Sequence, residues 1–116
     1  MFIPVNTPIW IYLDKVDFRR QIDGLSSFVA AQFGKNPTSG QLFVFRNRAA
    51  NAIKLLLWER NGFWLLHKRL EKGRLKFPQM TNELMELTQD QLGWLLSGLD
   101  FTKQKVLPIV QASHFF

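Results

Sequence analysis

The chain has no cysteine, so it can build neither a disulfide framework nor a thiolate metal site, and a cytoplasmic address is the expected one. Histidine is scarce: His67 falls inside an expected strand and His114 in the C-terminal tail. The nine carboxylates are scattered, whereas two-metal chemistry needs several of them converging. Asp14, Asp17 and Glu59 could be imagined together, but the first two read as helix caps and the third sits by a hairpin turn. Ser39 has no identifiable His–Asp partners, and Gly34, Gly40, Gly62 and Gly73 stand alone rather than in a phosphate-cradling loop. No catalytic residue, metal or cofactor is therefore expected. The uncharged N-terminal stretch is cut by Pro4 and Pro8 and ends at Asp14, too short to span a bilayer. It also lacks the basic n-region of a secretory leader.

What is present is an ordinary globular composition with two biases. The 116 residues suffice for a single domain, 1–116, with a real core. Aromatic residues make up 14%, with 11 Phe and 4 Trp, which suits either a core or a partner surface. The net charge is +6 and uneven: residues 1–77 hold 13 Lys/Arg against 5 Asp/Glu. A positive body suits a polyanion such as DNA.

Ile9–Leu13 reads as a short strand rich in β-formers. A helix is expected to begin near Asp14 or Asp17, with Phe18, Ile22, Leu25, Val29 and Phe33 on one stripe. Gly34 is placed to end it, and Gly24 inside it calls for a close backbone approach. Four strands follow, at Gln41–Arg46, Ala52–Arg60, Phe63–Leu70 and Arg74–Phe77. Asn61-Gly62 signals a type I′ turn. That turn sets Arg60 opposite Phe63, Glu59 opposite Trp64, Trp58 opposite Leu65 and Lys54 opposite Arg69. Both sheet faces are then partly apolar, so the helix covers one, and the C-terminal segment or a second chain covers part of the other. Thr88-Gln89-Asp90-Gln91 has capping-box spacing before Leu92, Leu95, Leu96 and Leu99, with Gly98 as terminator. The fold class expected is α+β: an antiparallel sheet of four to five strands, one main helix packed across it, and a C-terminal helical segment.

The candidate nucleic-acid contacts are Arg46, Arg48, Lys54, Lys68, Arg69, Lys72, Arg74 and Lys76, since both side chains attract phosphate and arginine can bind it bidentately. Like charges at Lys54 and Arg69 would welcome an anion between them. Trp58, Phe63 and Leu65 are the candidate protein interface, and a homo-oligomer is expected through them.

Three segments carry a resemblance. The run from Pro37 to Pro78, the segment Asp17-Phe18-Arg19-Arg20-Gln21-Ile22-Asp23-Gly24-Leu25 and the segment Leu95-Leu96-Ser97-Gly98-Leu99-Asp100-Phe101 occur in order and at close spacing. Over residues 9 to 101 they resemble the second-reading-frame TnpB accessory proteins of the insertion-sequence sixty-six family. That family is distinct from the RNA-guided nucleases that share the name TnpB. The resemblance implies a non-catalytic accessory factor for DNA transposition, binding DNA through phosphates or bridging it to the transposase and other element-encoded proteins. The alternative is an adaptor that assembles the transposase without touching DNA. One departure is notable: Ala49-Ala50-Asn51-Ala52 follows Arg48, where relatives commonly place further basic residues.

Overall fold

The computed structural model describes residues 3–77 and 81–102. The elements are β1 (Ile9–Lys15), α1 (Ile22–Phe33), β2 (Leu42–Arg46), β3 (Ala52–Glu59), β4 (Gly62–Arg69), β5 (Leu84–Leu87) and α2 (Gln89–Leu96). The five strands form one sheet in the order β4-β3-β2-β1-β5. The class is α+β, and the sheet is mostly antiparallel. The exception is β1 with β2, which run parallel because α1 supplies the crossover between them.

Each face of the sheet has its own hydrophobic layer. Alternation along the strands sends Tyr12, Phe43, Phe45 and Leu56 to one side, where Leu25 and Val29 of α1 bury against them. Ile9, Ile11, Leu13, Leu42, Val44, Ile53, Leu55 and Leu57 point to the other side and meet Leu92 and Leu95 of α2, with Leu75 and Phe101. The second face is thus covered by the chain's own C-terminal segment. Trp58, Phe63 and Leu65 are half-buried at the margin of the α1 layer, with the Trp58 and Phe63 rings edge-on at 5.0 Å. Among the described residues no helix is long and apolar enough to cross a membrane. The part of the tail beyond Thr102 lies outside the described residues.

Several expectations need correction. The main helix starts at Ile22, not at Asp14 or Asp17, because β1 continues through Lys15 and Val16 N–H still donates to Arg46 C=O at 2.9 Å. Asp17 is spent on a turn, accepting from the Arg19 backbone N–H at 2.9 Å, and Phe18 lies outside the helix. The stripe from Ile22 to Phe33 and the left-handed Gly34 cap at φ 62° are as expected. At Gly24 the close approach comes from a side chain: an added Cβ would sit 3.2 Å from Arg20 Cβ.

The hairpin turn lies one residue earlier than expected. Glu59 pairs with Gly62, and Arg60–Asn61 form the loop with Arg60 at φ 57°. The register therefore shifts by two, which leaves every side chain on the same face and so escapes the hydrophobic pattern. It brings Trp58 opposite Phe63 and Lys54 opposite His67, removing the expected Lys54–Arg69 pairing. An aromatic cross-strand pair replaces a repulsive one, which is the physical preference between the two registers. Arg74–Phe77 is not a strand. Its backbone touches the fold through Leu75 N–H to Ala50 C=O at 2.6 Å, and the buried Leu75 side chain anchors it. The fifth strand is Leu84–Leu87, paired antiparallel with β1.

The C-terminal helix follows its sequence signals. Thr88 Oγ1 accepts from Gln91 N–H at 3.0 Å, and Gln91 Oε1 accepts from Thr88 N–H at 2.9 Å. At the other end Gly98 (φ 84°) donates to Leu95 C=O and Leu99 donates to Trp94 C=O, a Schellman closure. That closure turns the chain so that Phe101 drops into the core.

Candidate nucleic-acid interface

The topology gathers the cations at one end of the sheet. Parallel pairing sets Lys15 beside Arg46, and antiparallel pairing sets Arg69 beside Ala52. The ends of β1, β2 and β4 and the start of β3 therefore coincide. The β2–β3 loop at this end is held by Asn47. Its Oδ1 accepts from Asn51 N–H at 3.0 Å and Ala52 N–H at 3.1 Å, while its Nδ2 donates to Asn51 Oδ1 at 2.6 Å. Ala50 is buried in the left-handed region at φ 56°, and its carbonyl receives Leu75 N–H. The Asn51 carbonyl receives Leu70 N–H at 2.7 Å. These bonds fasten the segment after β4 to the loop, so Arg48, Arg69, Lys72, Arg74 and Lys76, all exposed, share one end of the molecule. Among the described residues the ion pair that involves any of these five is Arg69 with Glu71 at 3.4 Å. A cleft of about 600 Å³ opens between this loop and the β1–α1 connection, lined by Lys15, Val16, Asp17, Phe18, Asn47, Arg48 and Ala49.

Two of the candidate contacts are interior. Arg46 is 3% exposed and donates from Nε to Leu13 C=O at 3.0 Å and from Nη1 to Asn47 C=O at 3.2 Å, with Asp14 at 3.8 Å. Lys54 is 2% exposed and donates from Nζ to Phe18 C=O at 2.9 Å and Arg20 C=O at 2.8 Å, over the Phe18 ring at 4.9 Å. Burial lowers the pKa of both groups from their ordinary values, and Asp14 partly counters this at Arg46. Lys54 ties the start of the α1 crossover to the sheet, Arg46 ties the end of β1 to the end of β2, and both are unavailable to a phosphate at the surface. Lys68 is exposed, but its Nζ reaches Leu96 C=O at 2.8 Å, a cation on the C-terminal end of α2.

Lys15 was not among the sequence candidates. It joins the basic end because β1 runs parallel to β2, which periodicity alone does not reveal. Arg19 lies on the same connection but is engaged: its Nη2 is 2.6 Å from Asp17 Oδ2. The side-chain and backbone hydrogen bonds from Arg19 lower the Asp17 pKa to about 2. A carbon-detected NMR titration should find Asp17 ionising near that value, and Arg19→Ala should return it toward the usual carboxylate range. Among the described residues no group of three or more His, Asp or Glu is placed to hold a metal ion.

The comparisons agree on one relationship. The chain is 31% identical to the uncharacterized protein y4jC of Sinorhizobium fredii (strain NBRC 101917 / NGR234) over 101 residues, 87% of this chain and 86% of that one. It is 33% identical over 96 residues to the uncharacterized protein y4hO of the same organism, covering 83% of this chain and 84% of that one. No solved structure gives a significant match. The profile of the IS66 Orf2 like proteins matches residues 7–106, and the chain belongs to that family of transposition-associated accessory proteins.

Proposed function

We propose that this chain is a non-catalytic accessory factor that binds DNA through phosphate contacts and so brings it to the transposase. The family is an accessory family of transposition and not a known catalytic one. The observation that carries the DNA reading is the basic end of the sheet. There Arg48, Lys72, Arg74 and Lys76 stand exposed, without an ion pair among the described residues, on a loop and a segment hydrogen-bonded to each other. Such unneutralised cations favour a polyanion, and phosphate contacts by themselves carry no sequence information. The expected binding is therefore weakly specific and salt-sensitive.

Each phosphate neutralised contributes about −0.9 to the slope of log K against log salt. The double variant Arg48→Ala/Arg74→Ala should flatten the slope by roughly 2 if each arginine meets one phosphate. Fluorescence anisotropy with a labelled duplex across a salt series measures it. No binding at low salt, or an unchanged slope, removes the proposal. Transposase capture without DNA binding would favour the adaptor reading.

A further inference from the structure

The strongest feature outside the basic end is β4. Among the described residues it is an edge strand, with no strand paired to one side of its backbone. It covers eight residues, a span of roughly 24 Å between its end residues. At its start Trp64 is 53% exposed, yet the indole is not loose: Nε1 donates to Glu59 Oε1 at 3.0 Å. At the hairpin tip stands exposed Arg60.

The surroundings of Trp64 identify what it would take. Among the described residues the exposed large apolar side chains are Val5, Trp64 and Leu99. The cleft of about 390 Å³ at the tip is lined by Glu59, Arg60, Asn61, Gly62, Phe63 and Trp64. A protein hot spot lies within a contiguous apolar patch, whereas the cleft at this indole is lined mainly by charge and amide, with Phe63 the other apolar side chain. A flat, polar-edged ring with a phosphate attached fits better: its face stacks on the indole, its edge meets Asn61 and Glu59, and its phosphate meets Arg60. Bases within a duplex are stacked on one another and offer no such face. An unpaired strand does.

We propose that the hairpin end of β4 is a track for single-stranded DNA, with Trp64 as its nucleobase-stacking platform and Arg60 holding a phosphate beside it. This rests on the DNA-binding reading above and names the form of DNA. The fixed ring contributes because little rotamer freedom remains to be lost on binding.

The test compares a short oligothymidine with a duplex of equal length, by anisotropy and by quenching of tryptophan fluorescence. Wild type should bind the single strand more tightly than the duplex, with quenching. Trp64→Ala should weaken single-strand binding about tenfold and abolish most of the quenching while leaving duplex binding unchanged. Trp64→Phe, which keeps a stacking face, should retain most of the affinity. Because Trp64 is exposed, thermal unfolding of both variants should match wild type. Equal loss on both forms of DNA, or no loss on the single strand, overturns the track. A dimer seen by light scattering and broken by Trp64→Ala, with single-strand affinity intact, also overturns it by assigning the edge to a second copy. Salt-sensitive duplex binding with no single-strand preference overturns the track alone. No binding to either form overturns the DNA reading as well.

Discussion

Lys54→Ala is expected to destabilise the fold by about 3 kcal/mol. The side chain is long, nearly fully buried, and its ammonium is the donor for Phe18 C=O and Arg20 C=O. Removing it empties the space of its stem and withdraws a charged donor from two carbonyls at the start of the α1 crossover. Lys54→Met separates these effects. It keeps the apolar stem and loses only the ammonium, so a loss of about 2 kcal/mol is expected, reduced by relief of the buried charge. Chemical denaturation measures both. The salt slope of the proposed DNA binding should be unchanged in Lys54→Met, because the group faces inward. A flattened slope with unchanged stability would return Lys54 to the DNA-contact set.

The same residue gives a pH dependence of known sign. Burial holds the folded-state pKa of Lys54 below the ordinary lysine value of about 10.4. Between those two values the unfolded chain binds more protons than the folded one. Stability therefore rises with pH through that window, and below it the cost of burying the charge is fully present. Tyr12 opposes this, since burial and Asp14 raise its pKa, and its contribution falls as pH passes the ordinary tyrosine value. Comparing wild type with Lys54→Met at each pH cancels the Tyr12 effect. Wild type should gain on the variant as pH rises toward 10.4.

Lys54 also illustrates where the sequence was legible and where it was not. The elements with local signals lie where they were expected: the stripe and Gly34 cap of α1, and the capping box and glycine closure of α2. Features set by tertiary contact did not. The hairpin register escaped because a shift of two residues changes no face. β5 escaped because Leu84–Leu87 is short and finds its place only through β1. Arg46 and Lys54 looked like surface cations because a charged side chain within a strand is ordinarily exposed. Charge alone does not say which way a strand faces once both faces of the sheet are covered. The basic end as a cluster required the parallel pairing of β1 with β2 and the backbone bonds that join residues 70 and 75 to the β2–β3 loop.

Phe45→Ala should be the most damaging single truncation, at about 4 kcal/mol. Phe45 is fully buried, and its ring lies nearly parallel to Phe33 at 6.4 Å, with Phe28 edge-on at 6.2 Å. Tyr12 joins the same cluster through Phe28 at 5.5 Å and Phe33 at 5.1 Å. The aromatic excess of the sequence is thus largely the adhesive between α1 and the sheet. A cavity there cannot collapse easily, because the phenylalanines from α1 are fixed against one another. Phe45 also stands directly opposite Lys54 across β2 and β3, so the two residues secure the body of α1 and the connection that precedes it. Once Phe45→Ala has loosened the helix, less remains for the lysine to hold. The double variant Phe45→Ala/Lys54→Met should therefore lose less than the sum of the single variants, by about 1 kcal/mol in a double-mutant cycle. Strict additivity in denaturant titrations would mean that the two residues hold α1 independently. In either outcome the salt-dependent DNA binding proposed for the exposed cations of the basic end should persist in any variant that remains folded.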